Sequence, residues 1–128
     1  MYLRETIPML WVRDLEETVR FYTEILGFEL GGILPGRWAT VRCGDASIMF
    51  ASPNKNMPFE KAQFTGSIYF FPDKVDEVWE NLKDKVVIDY PIENFDYGMR
   101  EFAIRDCNGY LLQFGQDLGE IVEPREEI

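Results

Sequence analysis

The groups in this 128-residue chain that could do chemistry are carboxylates and aromatic rings, because the sequence contains no histidine. Without histidine, neither a Ser-His nor a Cys-His nucleophile pair can form. Carboxylates such as Glu101 or Asp96 could act as general bases. Glu101 is more simply interpreted as a structural ion-pair partner of Arg100 or Arg105. The residue types therefore favour aromatic stacking over acid–base chemistry.

The run that contains Glu101, residues 97–114, is predicted to form a β-hairpin. Aromatic and aliphatic residues flank Asn108-Gly109, a dipeptide that suits the positive-φ positions of a tight turn. The side chain of Asp106 can accept a hydrogen bond from the backbone just ahead of it and so help to fix this turn. A turn of this kind is common, so by itself it indicates structure and not function.

The remaining elements follow the same order twice, which predicts an α+β fold of two tandem βαβββ modules. In each module a strand precedes a helix with an aspartate placed to cap it, Asp14 in the first and Asp73 in the second. We expect one domain, with the first module at about residues 5–52, a linker at 53–64, the second module at about 65–117 and an acidic tail at 118–128. The predicted strands are 6–12, 28–33, 38–43, 47–51, 66–71, 86–90, 100–105 and 110–116.

Composition and charge exclude several classes of protein. The net charge of −10 argues against nucleic acid as a partner, because phosphates need Lys and Arg. A negative field does suit a cationic ligand, although solubility alone would explain the charge. No apolar run approaches the roughly 18 residues that a membrane span needs. With no secretory signal visible at the start of the chain, we expect a cytoplasmic protein with reduced thiols at Cys43 and Cys107.

The hairpin and the start of the chain together resemble a known family. An aromatic residue, a glycine, Arg-Glu-Phe and then Asp-x-x-Gly before an apolar strand, at residues 97–114, are similar to the C-terminal signature of the glyoxalase, bleomycin-resistance and extradiol-dioxygenase superfamily. Residues 8–15, 19–22 and 26–28 resemble its opening strand, helix and turn. The amino-acid sequence of residues 98–102 is most similar to that of the bleomycin-resistance branch. The resemblance implies a curved sheet around a cleft and a homodimer, often with exchanged strands.

The resemblance also implies four equivalent metal-ligand points, which in this chain fall at Ile7, Met49, Ser67 and Gln113. Ile7 has no donor atom, and the thioether of Met49 suits the usual divalent ions poorly. Ser67 and Gln113 are weak neutral ligands. Since none of the four is anionic or a histidine, we expect no metal and no other cofactor.

Six residues are the predicted ligand contacts. Trp38, Tyr69 and Tyr97 match or adjoin positions where the resemblance implies drug-contacting aromatic rings, and such rings suit flat heteroaromatic or cationic ligands. The full set is Trp38, Met49, Phe59, Tyr69, Tyr97 and Gln113. We expect a metal-free homodimer that sequesters an aromatic ligand such as an antibiotic, and the negative net charge is compatible with a cationic ligand. Two alternatives stay open: an enzyme of the superfamily with a displaced site, and a non-catalytic sensor module in which Trp38 and Tyr69 belong to the core.

Overall fold

The computed structural model describes residues 1–53 and 59–121, and the chain separates into two compact units. The first unit comprises Met1–Phe64 together with Cys107–Gly109, and the second begins at Thr65 and contains the rest of the chain. Within the described residues, no helix has both the length and the apolar character needed to cross a membrane. That the two units form one domain stays a prediction, and part of the predicted linker and most of the predicted tail lie outside the described residues.

The first unit is a four-stranded mixed sheet with one helix beside it. Its strands lie in the order β1-β4-β3-β2, with β1 parallel to β4 and the other pairs antiparallel. The helix continues into a π-helical turn, Phe21–Ile25, before the second strand. The elements are β1 (Met9–Trp11), α1 (Leu15–Arg20), β2 (Glu29–Leu34), β3 (Trp38–Cys43) and β4 (Ala46–Ala51).

The second unit repeats this topology. Its strand order, β5-β8-β7-β6, matches that of the first sheet, again with the first and last strands parallel. The elements are β5 (Ile68–Phe70), α2 (Val75–Leu82), β6 (Val87–Asn94), β7 (Met99–Arg105) and β8 (Leu111–Asp117), followed by a short 3₁₀ helix, Leu118–Glu120. Each unit is a βαβββ module, so the predicted α+β fold of two such modules is confirmed.

Alternation along the strands gives each sheet a covered face and an open face. On the covered face of the second sheet, Phe102, Ile104 and Leu112 are fully buried, and the Trp79 ring of α2 packs on Phe102 with centroids 5.1 Å apart. The opposite, open face carries side chains of the other parity, such as Gln113, which is half-buried.

The predicted hairpin is also confirmed, because the turn between β7 and β8 has the expected chemistry. Gly109 has a φ of 96°, a value that glycine adopts without a steric penalty. The Asp106 carboxylate accepts a hydrogen bond from the backbone N–H of Tyr110 at 2.9 Å. The sequence motif therefore fixes the register that places β7 beside β8.

The two helices begin differently, although the sequence predicts an aspartate cap for both. Asp14 does cap α1, since its Oδ1 accepts from the backbone N–H of Glu17 at 3.0 Å. The residue preceding α2 is Lys74, which provides no side-chain cap, and the predicted cap at Asp73 is wrong because the helix begins one residue too late for it. The backbone N–H of Val75 instead donates to Oε1 of Gln116 on β8 at 2.9 Å.

We predict that Gln116→Leu lowers the free energy of unfolding by about 1–3 kcal/mol, because it leaves the buried N–H of Val75 without an acceptor. Asp73→Ala is the matched control and should change stability by less than about 0.5 kcal/mol, as expected for an exposed residue without such a role. Urea unfolding monitored by circular dichroism measures both. A larger loss for Asp73→Ala than for Gln116→Leu would contradict the assignment.

Candidate functional site

Four side chains of the second unit converge on the buried carboxylate of Glu101. Tyr69 donates its hydroxyl to Oε1 at 2.6 Å, and Tyr97 donates to Oε2 at 2.8 Å. Tyr90 also donates to Oε2, and the amide of Gln113 approaches the same oxygen at 3.3 Å. We call these five residues the Glu101 cluster. They lie in sequence as far apart as positions 69 and 113, so the sheet assembles them.

Strand register explains why these residues meet. Tyr69 on β5 lies opposite Gln113 on β8, and Glu101 on β7 lies opposite Gly115 on β8. Gln113 and Gly115 are two residues apart, so both face the same side of the sheet. The Tyr69 and Glu101 side chains therefore share the open face, separated by the width of β8.

Gly115 allows Tyr69 to reach across β8. A Cβ atom built on Gly115 would overlap the Tyr69 hydroxyl and lie 2.7 Å from the ring carbon Cζ that carries it. Real Cβ atoms do not approach other atoms so closely. Any larger residue at position 115 must therefore displace the phenol from Glu101.

The other two phenols come from β6 and from the turn that follows it. Tyr90 lies on β6, next to a register shift in its pairing with β7. Tyr97 lies in the turn between β6 and β7, which is closed by a hydrogen bond from the Phe95 N–H to the Met99 carbonyl oxygen at 2.8 Å. Gly98, with a φ of 89°, provides the positive φ in this turn.

Aromatic rings continue outward from the Glu101 cluster. The rings of Phe95 and Tyr97 stack with centroids 5.4 Å apart and planes 12° apart, and Tyr90 meets Phe95 edge-on at 5.5 Å. On the other side, Phe71 lies 4.9 Å from Tyr69. Tyr97 is 61% exposed and Phe71 is 74% exposed. Apolar ring surface therefore remains accessible beside a buried charge.

No cation neutralises Glu101 within the part of the chain that the structure describes. Its side chain is fully buried, whereas the guanidinium of Arg100 pairs with Asp76 at 3.0 Å and that of Arg105 pairs with Asp89 at 3.0 Å. The interpretation of Glu101 as an ion-pair partner of these arginines is therefore wrong. Arg100 is next to Glu101 on β7, so its side chain points to the opposite face of the sheet. Arg105 lies four residues further along the strand, about 13 Å from Glu101.

The hydrogen bonds determine the protonation states in the cluster. Burial by itself would raise the pKa of Glu101, but the hydrogen bonds from the three tyrosines and Gln113 prevail and hold the pKa below its ordinary value. Desolvation and then the hydrogen bond to Glu101 raise the pKa of Tyr69 and of Tyr90, and the same causes raise the pKa of Tyr97 to about 12. At neutral pH the cluster therefore contains one carboxylate and three neutral phenols.

A sequence model of the Glyoxalase/Bleomycin resistance protein/Dioxygenase superfamily matches residues 6–114. The chain belongs to this superfamily. The match includes both units and the whole Glu101 cluster, and it confirms the resemblance drawn from the hairpin and the opening strand. Comparison with curated protein sequences gives no match.

Solved structures share the fold at low sequence identity. The bleomycin-binding protein of Streptomyces verticillus, complexed with copper(II)-bleomycin, is 24% identical with a TM-score of 0.68 and covers 89% of this chain and 96% of its own. The antibiotic binding protein TnmS3 of Streptomyces sp. CB03234 is 22% identical with a TM-score of 0.70, covering 91% and 99%. Lactoylglutathione lyase of Agrobacterium tumefaciens is 21% identical with a TM-score of 0.69, covering 90% and 95%. Such likenesses establish the fold alone.

The residues at the family's metal-ligand points do not fit a divalent metal ion. In the second unit, Ser67 donates to Oε1 of Gln113, whose amide nitrogen donates to the Tyr90 hydroxyl at 2.7 Å, so both side chains are engaged with protein partners. In the first unit the points are an aliphatic side chain, Ile7, and a thioether, Met49. Among the described residues, no group of three His, Cys, Asp or Glu side chains could hold a metal ion.

The six predicted ligand residues divide between the two units. Tyr69, Tyr97 and Gln113 meet in the Glu101 cluster. In the first unit, Trp38 and Met49 share the open face of their sheet. Ala51, which lies opposite Trp38, is two residues from Met49 on the same strand, so all three side chains point to one side. Each of these roles in ligand binding stays a prediction.

Phe59 has a different setting in the first unit. Its ring lies 5.3 Å below the guanidinium of Arg13, which also donates to the Glu60 carbonyl oxygen at 2.7 Å. Phe59 therefore contacts Arg13, the residue that precedes the α1 cap Asp14. Its predicted contact with a ligand stays a prediction.

Sequence reasoning missed Tyr90 and assigned Glu101 to arginine partners instead of to the cluster. Strand parity could have identified Glu101, because counting across the hairpin from the Asn108-Gly109 turn places it on the same face as Gln113. No comparable signal exists for Tyr90, because register shifts in the β6–β7 pairing disturb the parity of its strand. The neighbouring polar residues alone do not reveal that Tyr90 reaches a carboxylate on the next strand.

We predict that Gly115→Ala lowers the free energy of unfolding by about 1–3 kcal/mol, because the added methyl group displaces Tyr69 and removes a hydrogen bond from the buried carboxylate. In a Tyr69→Ala background the same change should be neutral or stabilise by up to about 1 kcal/mol, since alanine is otherwise preferred over glycine within a strand. Urea unfolding of the four proteins of this cycle measures the coupling. Equal losses in both backgrounds would contradict the role assigned to Gly115.

Proposed function

We propose that this protein binds a flat aromatic small molecule, without a metal and without altering it, on the open face of the second sheet. The observation that carries the proposal is the convergence of three tyrosines on one buried carboxylate while the Tyr97 ring stays largely exposed. Exposed aromatic rings held by hydrogen bonds are rigid stacking surfaces, and stacking requires no reactive group. A homodimer is part of the same proposal.

The chemistry of the cluster supports binding rather than catalysis. A carboxylate whose pKa is held below its ordinary value is a poor general base near neutral pH. The three tyrosines are poor nucleophiles, because their raised pKa values keep the phenols neutral. The residues at the family's metal-ligand points offer no anionic ligand to a dication. Together these properties disfavour an enzyme with a displaced site.

An antibiotic is the ligand class that we propose. Two of the solved structures with this fold are named for binding bleomycin or an antibiotic, and this chain shares their architecture at 22–24% identity. The aromatic rings around Glu101 offer a surface for flat ring systems of the kind found in many antibiotics. Trp38 and Met49 on the open face of the first sheet, and Phe59 beside Arg13, are proposed as ligand contacts of the first unit taken by itself; for Trp38 and Met49 this is an alternative to the dimer contact proposed below for the same face.

A thermal-shift screen of aromatic antibiotics, bleomycin included, followed by calorimetry, tests this function. Tyr97→Ala should weaken binding of a stacking ligand about 5- to 150-fold, because stacking on an aromatic residue contributes roughly 1–3 kcal/mol where it has been measured for bases. The free energy of unfolding should change by less than about 1.5 kcal/mol, since the ring is mostly exposed and one hydrogen bond is lost.

The matched control is Trp79→Ala on the covered face of the same sheet. Removing this ring from its contact with Phe102 should lower the free energy of unfolding by roughly 3–5 kcal/mol while leaving the affinity of the folded fraction unchanged. Unchanged affinity in Tyr97→Ala, or failure of every aromatic compound to bind, would show that this face of the sheet is not the site.

The open face of the first sheet is the surface that we propose for dimerisation. Apolar side chains there are exposed beyond what an isolated domain needs, with Leu34 at 52%. Met9 and Trp11, which share this face with Leu34 by strand register, are 49% and 42% exposed. A second copy of the chain would cover these groups with the same groups, as twofold symmetry requires.

Leu34→Lys should shift the protein from dimer to monomer at micromolar concentration without loss of secondary structure, because the position is exposed in the single chain and a buried lysine is unfavourable in an apolar interface. Val87→Lys, which places the same charge on an exposed position of the second unit, is the control and should leave the mass unchanged. Light scattering reports the mass. A monomeric wild-type protein would refute the dimer.

A further inference from the structure

The Glu101 carboxylate is a buried negative charge for which the described residues supply hydrogen bonds but no counter-charge. Its side chain is fully buried, and in the described chain the nearest arginines along its strand are paired with Asp76 and Asp89. Transfer of a carboxylate out of water is unfavourable unless it is paired or hydrogen-bonded. Hydrogen bonds hold this charge in place, yet they do not cancel it, so its field extends into the aromatic surface beside it.

The Glu101 carboxylate is beyond the direct reach of a ligand, because its side chain is fully buried. Two carboxylate oxygens offer about four lone-pair positions. Three phenol hydroxyls and the Gln113 amide approach them, one on Oε1 and three on Oε2, so burial rather than a hydrogen bond closes off the remaining position on Oε1. A ligand that approached with N–H donors would have to displace one of these groups. A ligand cation without N–H donors would be attracted by the negative charge of Glu101 and would leave these four hydrogen-bond donors in place.

Ring surface for such a cation lies beside the charge. Tyr97 is 61% exposed and stacks on Phe95, while Phe71 is 74% exposed and adjoins Tyr69. Cations attract the faces of aromatic rings, and sites of this kind recognise quaternary ammonium groups. The hydrogen bonds from Tyr69 and Tyr97 to Glu101 orient both rings around the carboxylate.

We infer that the ligand of the Glu101 cluster is an organic cation without N–H donors, a quaternary ammonium or an N-alkylated heteroaromatic ring, and that Glu101 is its counter-charge. This inference rests on the proposed binding function and specifies its chemistry. Glu101 acts at a distance through its charge, while the rings of Tyr97, Phe95 and Phe71 make the contact. A neutral ring of the same shape would stack but would gain nothing from the carboxylate.

Three compounds with one flat ring system test the inference on the full-length protein at neutral pH: N-methylquinolinium, neutral quinoline and protonated 4-aminoquinoline. We expect wild-type protein to bind N-methylquinolinium about 10-fold more tightly than quinoline, within the range of cation–π contributions. Protonated 4-aminoquinoline should bind no more tightly than N-methylquinolinium, because its N–H groups cannot reach the buried Glu101 carboxylate. Isothermal titration calorimetry measures all three affinities.

Glu101→Gln removes the charge at nearly constant size and should reduce the preference for N-methylquinolinium over quinoline from about 10-fold to about 2-fold or less. Glu77→Gln is the matched control, because it removes an equal charge from an exposed position on α2, the helix that packs on the covered face. Screening by water and salt should hold its effect on either affinity within about 2-fold.

The outcomes separate the inference from the function on which it rests. Equal affinity of wild-type protein for N-methylquinolinium and quinoline would overturn the cation inference and leave aromatic binding in place. Tighter binding of protonated 4-aminoquinoline would overturn the requirement for a cation without N–H donors. Binding of none of the three compounds would overturn the proposed function as well. If Glu101→Gln does not fold, the affinities of wild-type protein for N-methylquinolinium and quinoline still test whether the ligand is a cation.

Discussion

The second unit depends on the stabilisation of one ionised carboxylate, that of Glu101, away from water and without a cation from residues 1–53 and 59–121. An unpaired buried charge would normally become neutral through a shift of its pKa. Here the hydroxyls of Tyr69, Tyr90 and Tyr97 and the amide of Gln113 stabilise the charged form instead, and they lower the pKa. Because these donors come from β5, β6, the β6–β7 turn and β8, formation of the cluster and formation of the sheet are coupled.

The two units show how one topology serves different purposes. At equivalent places in their parallel strand pairs, the first sheet has Met9 opposite Met49, and the second has Tyr69 opposite Gln113. The pair on the first open face is therefore apolar, whereas the pair on the second belongs to a group of hydrogen-bonding residues around a charge. The fold itself does not make this distinction, since a lactoylglutathione lyase and a bleomycin-binding protein have similar architecture.

Local patterns in the sequence predicted the features that depend on local physics. The repeated order of strands and helices indicated two βαβββ modules, the Asn108-Gly109 turn indicated the hairpin, and Asp14 indicated the start of α1. Features that depend on tertiary contact were not predictable in this way. Gln116 replaces Asp73 at the start of α2 only because β8 passes beside the helix, and Glu101 finds phenols instead of arginines only because three strands bring them together.

The protonation state of Glu101 tests the account most directly. Carbon-13 NMR of protein labelled at the glutamate carboxyl groups, with the Glu101 signal assigned by its loss in Glu101→Gln, follows this group as the pH is lowered while amide signals confirm that the protein stays folded. The account predicts a midpoint below the ordinary value of 4.5, because the hydrogen bonds favour the charged form. A midpoint above 4.5 would mean that burial prevails, that the carboxyl group becomes neutral readily, and that the charge assigned to this site is not maintained.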